Sequence, residues 1–232
     1  MENKLMIYHG SAHVIETPIW GVGNPRNDYG LGFYCTQDIE LAKEWACTEK
    51  NNGFSNKYEL DITDLSILNL NNGEYHILNW LAVLLENRTF RIREDVTIRA
   101  KEYILENFSV DYKSYDIVCG YRADDSYFSY ANAFLNNTLS LEKLERAMLY
   151  GKLGEQVVLR TEKSFERLVY LESEAVDKEI YYPKKMARDI EAREAFRKER
   201  SIGIVEEEIY VLDIMRGRWK DDDTRLQRRI FR

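Results

Sequence analysis

Residues 27–46 read NDYGLGFYCTQDIELAKEWA, and this stretch predicts a strand followed directly by a helix. The loop before it holds two of the three prolines and ends in Gly30 and Gly32, which favours a turn there. The residues GFYCT are rich in aromatic side chains, as is typical of a strand. In the segment that follows, Asp38 can cap a helix whose apolar residues recur on one face.

Strand and helix signals continue on both sides of this stretch. Leu5–Tyr8 is expected to form a strand ahead of the loop. Further strands are expected in NKYELDIT, LSILNL, YDIVCGY and EQVVLRT, and helices in EYHILNWLAVLLENR, REDVTIRAKEYILENF, SYANAFLNN and SLEKLERAMLYGKL. This order predicts the α+β class with a mainly antiparallel or mixed sheet.

The chain changes in composition after Pro183. Residues 184–232 carry a net charge of +3, whereas residues 1–183 carry −10. KKMARDIEAREAFRKER is expected to form a charged, exposed helix, VEEEIYVLDIMRGRW a more apolar one, and KDDDTRLQRRIFR a frayed end. We therefore expect a main domain over residues 1–183 and a charged helical extension over residues 184–232.

Composition also limits the classes of function. The net charge of −7 argues against a general coat for nucleic acid. The three histidines and three cysteines show no metal-ligand spacing, so no metal is expected. The chain has no long apolar run and no apolar segment near its start, so we expect a cytoplasmic protein without a membrane segment.

Three short motifs lie at the ends of predicted strands and contain groups that can bind a ligand. In the first, His9 offers a ring nitrogen and Gly10 permits close approach of a ligand to the backbone. In the second, Tyr34 and Trp45 are spaced to flank a flat ring. In the third, Gln156 supplies an amide. Each motif taken alone is also compatible with a structural role.

Together the motifs resemble the ADP-ribosyltransferase superfamily, in the branch of diphtheria toxin and poly(ADP-ribose) polymerase. A closer resemblance is to a bacterial family of toxin-like proteins catalogued as a domain of unknown function. The resemblance covers roughly residues 6–171, so the expected catalytic domain is residues 1–183. It is carried by YHGS, NDYGLGFYCTQDIELAKEWA, YDIVCGYRADDSYF and QVVLRTEKSFERL.

The resemblance implies a split β-sandwich with flanking helices that binds NAD as a co-substrate. Gly10 would bind the nicotinamide amide through its backbone. His9 would hold the adenosine-side ribose hydroxyl, with Ser11 nearby. Tyr34 and Trp45 would stack on the nicotinamide.

Two further residues in the loop before the second strand are candidates for contact with NAD. Gly32 would allow close approach of the backbone. Arg26 can match the geometry of the pyrophosphate, although a solvated loop arginine is the alternative.

The third motif departs from the pattern of the superfamily. The resemblance places Gln156 where the catalytic residue is classically a glutamate, with Glu155 one position earlier. Neighbouring strand residues point to opposite faces, so only one of the two can face the ligand. Glutamine accepts from a ribose hydroxyl but cannot act as a general base. Asp124 or Asp125 is a candidate base on the acceptor side, or else caps the next helix.

The resemblance implies an NAD-dependent mono-ADP-ribosyltransferase, a toxin of a toxin–antitoxin or defence system. Its acceptor would be a macromolecule, either protein or nucleic acid, and a small antitoxin protein would neutralise it. An NAD glycohydrolase is one alternative. A catalytically inactive module that binds NAD or a protein is another, because Gln156 carries no charge.

Overall fold

The chain has mixed α+β structure in a computed structural model that describes residues 3–90, 94–123, 125–147, 154–203 and 205–227. The strands are β1 (Lys4–Ser11), β2 (Phe33–Cys35), β3 (Gly53–Asp61), β4 (Ile67–Asn69), β5 (Ile117–Tyr121), β6 (Glu155–Leu159) and β7 (Leu168–Val176). The helices are α1 (Ile39–Ala46), α2 (Ile77–Asn87), α3 (Asp95–Phe108), α4 (Asp125–Leu135), α5 (Leu141–Ala147), α6 (Glu162–Glu166), α7 (Lys178–Ser201), α8 (Val211–Arg216) and α9 (Thr224–Gln227).

Internal contacts group the chain into two units. The first unit comprises Met1–Asn69, Asp111–Arg122 and Gly154–Arg188, and the second comprises Leu70–Val110, Ala123–Leu153 and Asp189–Arg232. All the strands described above belong to the first unit, together with α1 and α6. The second unit is helical in the part that the structure describes.

Two small sheets form the first unit. One has the order β1-β3-β7 and is antiparallel, and the other has the order β2-β6-β5-β4, with a parallel pair at β4 and β5. An isolated bridge between Tyr8 and Thr36 links β1 to the end of β2. The facing sides of the sheets pack into one core, which includes Ile7, Phe33, Cys35, Tyr58, Leu60, Ile117, Val157 and Leu159. The sheets therefore form a split sandwich.

Helix α1 packs against the outer side of the first sheet through two glycines. The Asp38 carboxylate caps the helix by accepting from the Glu40 backbone N–H at 2.8 Å. A Cβ atom at Gly10 would lie 2.0 Å from the Ala42 carbonyl oxygen, and one at Gly53 would lie 2.2 Å from the Ala46 carbonyl oxygen. Only glycine at these two positions lets the helix backbone lie this close to β1 and β3.

The second unit is built around α2, whose side chains are almost all buried. The His76 imidazole and the Asp221 carboxylate lie 3.2 Å apart within this unit, and Asn79 also donates to Asp221 at 2.6 Å. The Tyr103 hydroxyl donates to the Trp219 carbonyl oxygen at 2.9 Å. These bonds fasten the segment after α8 to α2 and α3.

The structure confirms the predicted α+β class with two sheets and a helical C-terminal region, and it differs from the sequence analysis in several elements. β7 and the short helix α6 were not anticipated, and α9 lies in the segment that was expected to be a frayed end. α7 begins at Lys178 and contains Pro183, whereas we expected the helix to begin after the proline. The apolar helix expected over residues 205–219 is limited to α8. The helix expected over residues 140–153 is described as far as Ala147.

The predicted parts 1–183 and 184–232 are consecutive, whereas the two contact units interleave along the chain. Residues 184–188 pack in the first unit, where Arg188 pairs with Glu44 at 2.8 Å. The division into a domain of residues 1–183 and an extension of residues 184–232 stays a prediction. No helix in the described ranges is both long and apolar enough to cross a membrane.

Candidate functional site

His9 lies where β1 and β2 separate. Next to the Tyr8–Thr36 bridge, the Tyr34 carbonyl oxygen bonds to a side chain in place of the backbone of β1. The His9 Nδ1 atom lies 2.7 Å from this oxygen. Because a carbonyl only accepts, Nδ1 carries the proton and Nε2 keeps its lone pair. The ring stacks on Phe33 at 4.3 Å, and burial lowers the pKa of His9. The imidazole is therefore neutral near pH 7 and presents an acceptor at Nε2.

Asn56 holds the chain from His9 to Ile15 and is a residue that the sequence analysis missed. It pairs with His9 in the β1–β3 register and is fully buried. Its Nδ2 group donates to the His9 carbonyl and the Ser11 hydroxyl, each at 3.1 Å. Its Oδ1 atom accepts from the Ile15 N–H at 2.9 Å and the Ser173 hydroxyl at 2.7 Å. The available signal was an asparagine in an inward position of an alternating strand.

The other predicted residues lie on the outer sides of the two sheets, which face away from the shared core. Side chains alternate along a strand, so Gly10 faces away from the core that contains Ile7. By the same alternation Tyr34 and Gln156 face away from the core residues Cys35 and Val157. Gly10 therefore lies on the outer side of the first sheet, where α1 packs, and Tyr34 and Gln156 lie on the outer side of the second sheet.

Tyr34 is fixed by the loop that precedes β2. Its hydroxyl donates to the Gly30 carbonyl at 2.6 Å and accepts from the Tyr29 N–H at 3.0 Å. Burial raises the pKa of Tyr34 well above its ordinary value, and the charge of the buried Asp28 adds to this. The side chain is a neutral ring in a fixed place, and it cannot serve as a base near pH 7.

Asp28 and Arg160 are further residues that the sequence analysis missed. Arg160 donates to the Tyr29 carbonyl at 2.8 Å and stacks on Tyr112 at 4.7 Å, which ties the loop to the end of β6. The positive charge of Arg160 partly offsets the effect of Asp28 on the Tyr34 pKa. Asp28 lies between Asn27 and Tyr29 in a loop, which gave no sequence signal for its burial.

Trp45, on the last turn of α1, has an indole N–H that is buried and has no hydrogen-bond partner. The Arg122 guanidinium carbon lies 4.9 Å from the centroid of the Trp45 ring. Arg122 follows β5, and its backbone N–H donates to the Gly154 carbonyl at 3.2 Å. Arg122 therefore covers one face of the aromatic ring.

The structure distinguishes the two candidates of the third motif. Glu155 is exposed, whereas Gln156 is 7% exposed and faces the outer side with Tyr34. The Gln156 Oε1 atom is buried and has no hydrogen-bond partner. Buried polar atoms without partners are rare in native proteins and call for an explanation.

Ser55 adds a third such atom, on the outer side of the first sheet. It pairs with Gly10 in the β1–β3 register, and its buried hydroxyl has no partner. Trp45 on α1 thus carries an unpartnered donor, Gln156 on the second sheet an unpartnered acceptor, and Ser55 on the first sheet an unpartnered hydroxyl. We call Gly10, Tyr34, Trp45, Ser55 and Gln156 the outer site.

The remaining predicted residues lie elsewhere or outside the described residues. Arg26 is exposed, and its backbone N–H donates to the Asn24 side chain at 2.9 Å. The Ser11 hydroxyl donates to the His13 carbonyl at 2.5 Å. Gly32 lies close to β6, because a Cβ there would lie 2.7 Å from the Leu159 carbonyl. Asp124 and the side chain of Asp125 lie outside the described residues.

Among the described residues, no group of three or more His, Cys, Asp or Glu is placed to hold a metal ion. The fold and the outer site define an α+β protein with a split pair of sheets and with aromatic and polar side chains on α1 and on the outer sides of these sheets. Residues 5–170 match the model of a family described as "Protein of unknown function (DUF3990)", and the chain belongs to that family. Searches of curated proteins and of solved structures found no match.

Proposed function

We propose that the protein is an NAD-dependent mono-ADP-ribosyltransferase that transfers ADP-ribose to a macromolecule. Three of the four motifs that resemble this superfamily lie in the first unit, and YDIVCGYRADDSYF continues from the first unit into the second at Ala123. The single observation that carries the proposal is that Trp45 Nε1 and Gln156 Oε1 are both buried without partners. These are two of the residues that the resemblance assigns to NAD.

The chemistry of the outer site fits the nicotinamide end of NAD. Nicotinamide has a flat ring, an amide that donates and accepts, and an adjoining ribose with hydroxyl groups. Tyr34 and Trp45 supply aromatic faces, which attract a cationic ring. The unpartnered Trp45 N–H matches an acceptor, and the unpartnered Gln156 carbonyl matches a hydroxyl donor.

We propose that His9 binds the same substrate, with a side chain that lies on the inner side of the first sheet. Its Nδ1–H is used by the Tyr34 carbonyl, so Nε2 is left to accept from a ribose hydroxyl. Asn56 donates to the His9 carbonyl and to the Ser11 hydroxyl, which limits the positions that the His9 backbone and ring can take. Preorganised polar groups of this kind stabilise developing charge without reorganising during the reaction.

In the proposed reaction, the bond between nicotinamide and the ribose anomeric carbon breaks, and its electron pair leaves with nicotinamide. A nucleophile of the acceptor then bonds to that carbon and loses its proton. Gln156 orients the ribose through its carbonyl but cannot accept the proton. The proton therefore goes to water or to a base of the acceptor.

The biological setting is also part of the proposal and is supported by the resemblance alone. We propose a cytoplasmic toxin of a toxin–antitoxin or defence system, with a small antitoxin protein as partner. An enzyme that modifies macromolecules of its own cell requires such a partner.

A second candidate is a module that binds NAD without turning it over. The observation in its favour is that Gln156, and not the exposed Glu155, faces the outer site, so the site lacks a carboxylate at this position. An NAD glycohydrolase, with water as the acceptor, is a third.

Nicotinamide release from NAD, measured with and without cell lysate, separates these candidates. A transferase releases nicotinamide much faster with lysate, a glycohydrolase releases it equally fast without lysate, and a binding module releases none. We expect release that depends on lysate and is lost in Gln156→Leu. The companion variant Glu155→Gln tests the assignment on the same strand, because loss of release there instead would make Glu155 the catalytic residue.

A further inference from the structure

Arg122 lies on the ring that the proposed function requires for stacking. Its guanidinium carbon is 4.9 Å from the Trp45 ring centroid, within the range of a cation–π contact. A guanidinium is flat and positively charged, as is the nicotinamide ring of NAD. The two groups therefore compete for the same kind of surface.

The surroundings of Arg122 include a second positive charge. Lys185 donates to the Cys47 carbonyl at 3.3 Å, at the end of α1 and two residues beyond Trp45. Burial lowers the pKa of Lys185, and the positive charge of Arg122 lowers it further. Glu44, which acts in the opposite direction on Lys185, is paired with Arg188 at 2.8 Å. Arg122 thus lies near a like charge at the end of α1.

We propose that Arg122 is an intramolecular competitor that occupies the stacking face of Trp45 and must move away before a flat ligand ring binds there. This inference rests on the proposed function, because it takes the outer site as the place where nicotinamide binds. It gives Arg122 a role that the sequence analysis did not assign to it. The arginine lowers the affinity for the ring and makes stacking depend on a side-chain movement.

The test uses neutral nicotinamide as the probe, because it has the ring without the phosphates and without a charge that Arg122 would repel. Binding to the full chain is measured by ligand-observed NMR titration. A cation–π contact contributes roughly two- to thirtyfold in an equilibrium constant. We expect Arg122→Ala to bind nicotinamide about fivefold more tightly than the unaltered protein.

Three further variants separate this competition from other effects. Trp45→Leu removes the ring, so adding Arg122→Ala to it should no longer improve binding. Arg122→Lys keeps the charge but not the flat group, and it should give a smaller gain. It also serves if Arg122→Ala fails to fold. Arg225→Ala is the matched control, because Arg225 lies 3.9 Å from the ring centroid of Trp219 in the second unit, and it should leave binding unchanged.

The outcomes distinguish a failure of the inference about Arg122 from a failure of the proposed function. If the unaltered protein binds nicotinamide and Arg122→Ala binds it equally or more weakly, Arg122 is not a competitor and the inference is wrong. If NAD and nicotinamide bind to none of the variants, the proposed function itself is wrong, and this inference falls with it.

Discussion

Replacing Gln156 by leucine should separate the stability of the fold from the binding of NAD. The Gln156 side chain is 7% exposed and its Oε1 atom has no partner. Folding therefore removes the hydrogen bonds that water makes to this oxygen and forms none in their place. Such a group costs about 1–3 kcal/mol of unfolding free energy. Leucine is of similar size and carries no polar atom. We therefore expect Gln156→Leu to match or exceed the original stability, by up to about 1 kcal/mol.

The assay combines thermal unfolding with NAD titration of the same samples. For a chain of this length, about 1 kcal/mol corresponds to a rise of roughly 2–4 °C in Tm. NAD binding should be lost in Gln156→Leu and kept in Glu155→Gln, whose side chain is exposed. A fall in unfolding free energy of more than about 1 kcal/mol in Gln156→Leu would refute the reasoning, because the amide would then be a bonded part of the core.

Three further results are expected from the same structure. Gly10→Ala should lower the unfolding free energy by about 1–3 kcal/mol or more in denaturant titrations, because its Cβ would lie 2.0 Å from the Ala42 carbonyl; an unchanged unfolding free energy would contradict this. Asn56→Ala should lower Tm by roughly 5–10 °C in calorimetry, because it leaves several buried groups unpaired, and an unchanged Tm would count against the role of Asn56. Burial lowers the pKa of His9 in the fold, so stability should decline as pH falls below about 6.5, and denaturant titrations should show a flatter profile for His9→Gln; parallel profiles would contradict this.

The sequence predicted the local structure best where several signals agree. In residues 27–46 the loop glycines, the aromatic strand and the Asp38 cap all favour the same arrangement, and the structure has β2 followed by α1 with that cap. β7 was missed because it is an edge strand in which Glu172 and Glu174 interrupt the apolar pattern. Edge strands carry such charges against solvent and so resemble loops.

The site residues could be placed in order along the chain but not in space. Gly10 has a packing reason that the sequence does not reveal, since α1 lies directly against it. The choice between Glu155 and Gln156 depends on the register of β6 with its neighbours, which sets the face of each side chain. Arg122 on Trp45 joins residues far apart in sequence, so no local pattern indicates this contact.

Transfer of label from NAD to a macromolecule tests the central claim most directly. The purified protein is incubated with cell lysate and NAD labelled on the adenylate, and the macromolecules are separated and counted. The proposal predicts label on a protein or nucleic acid with the unaltered protein, and none with folded Gln156→Leu. A folded, unaltered protein that binds NAD and leaves every macromolecule unlabelled would contradict the proposed transferase.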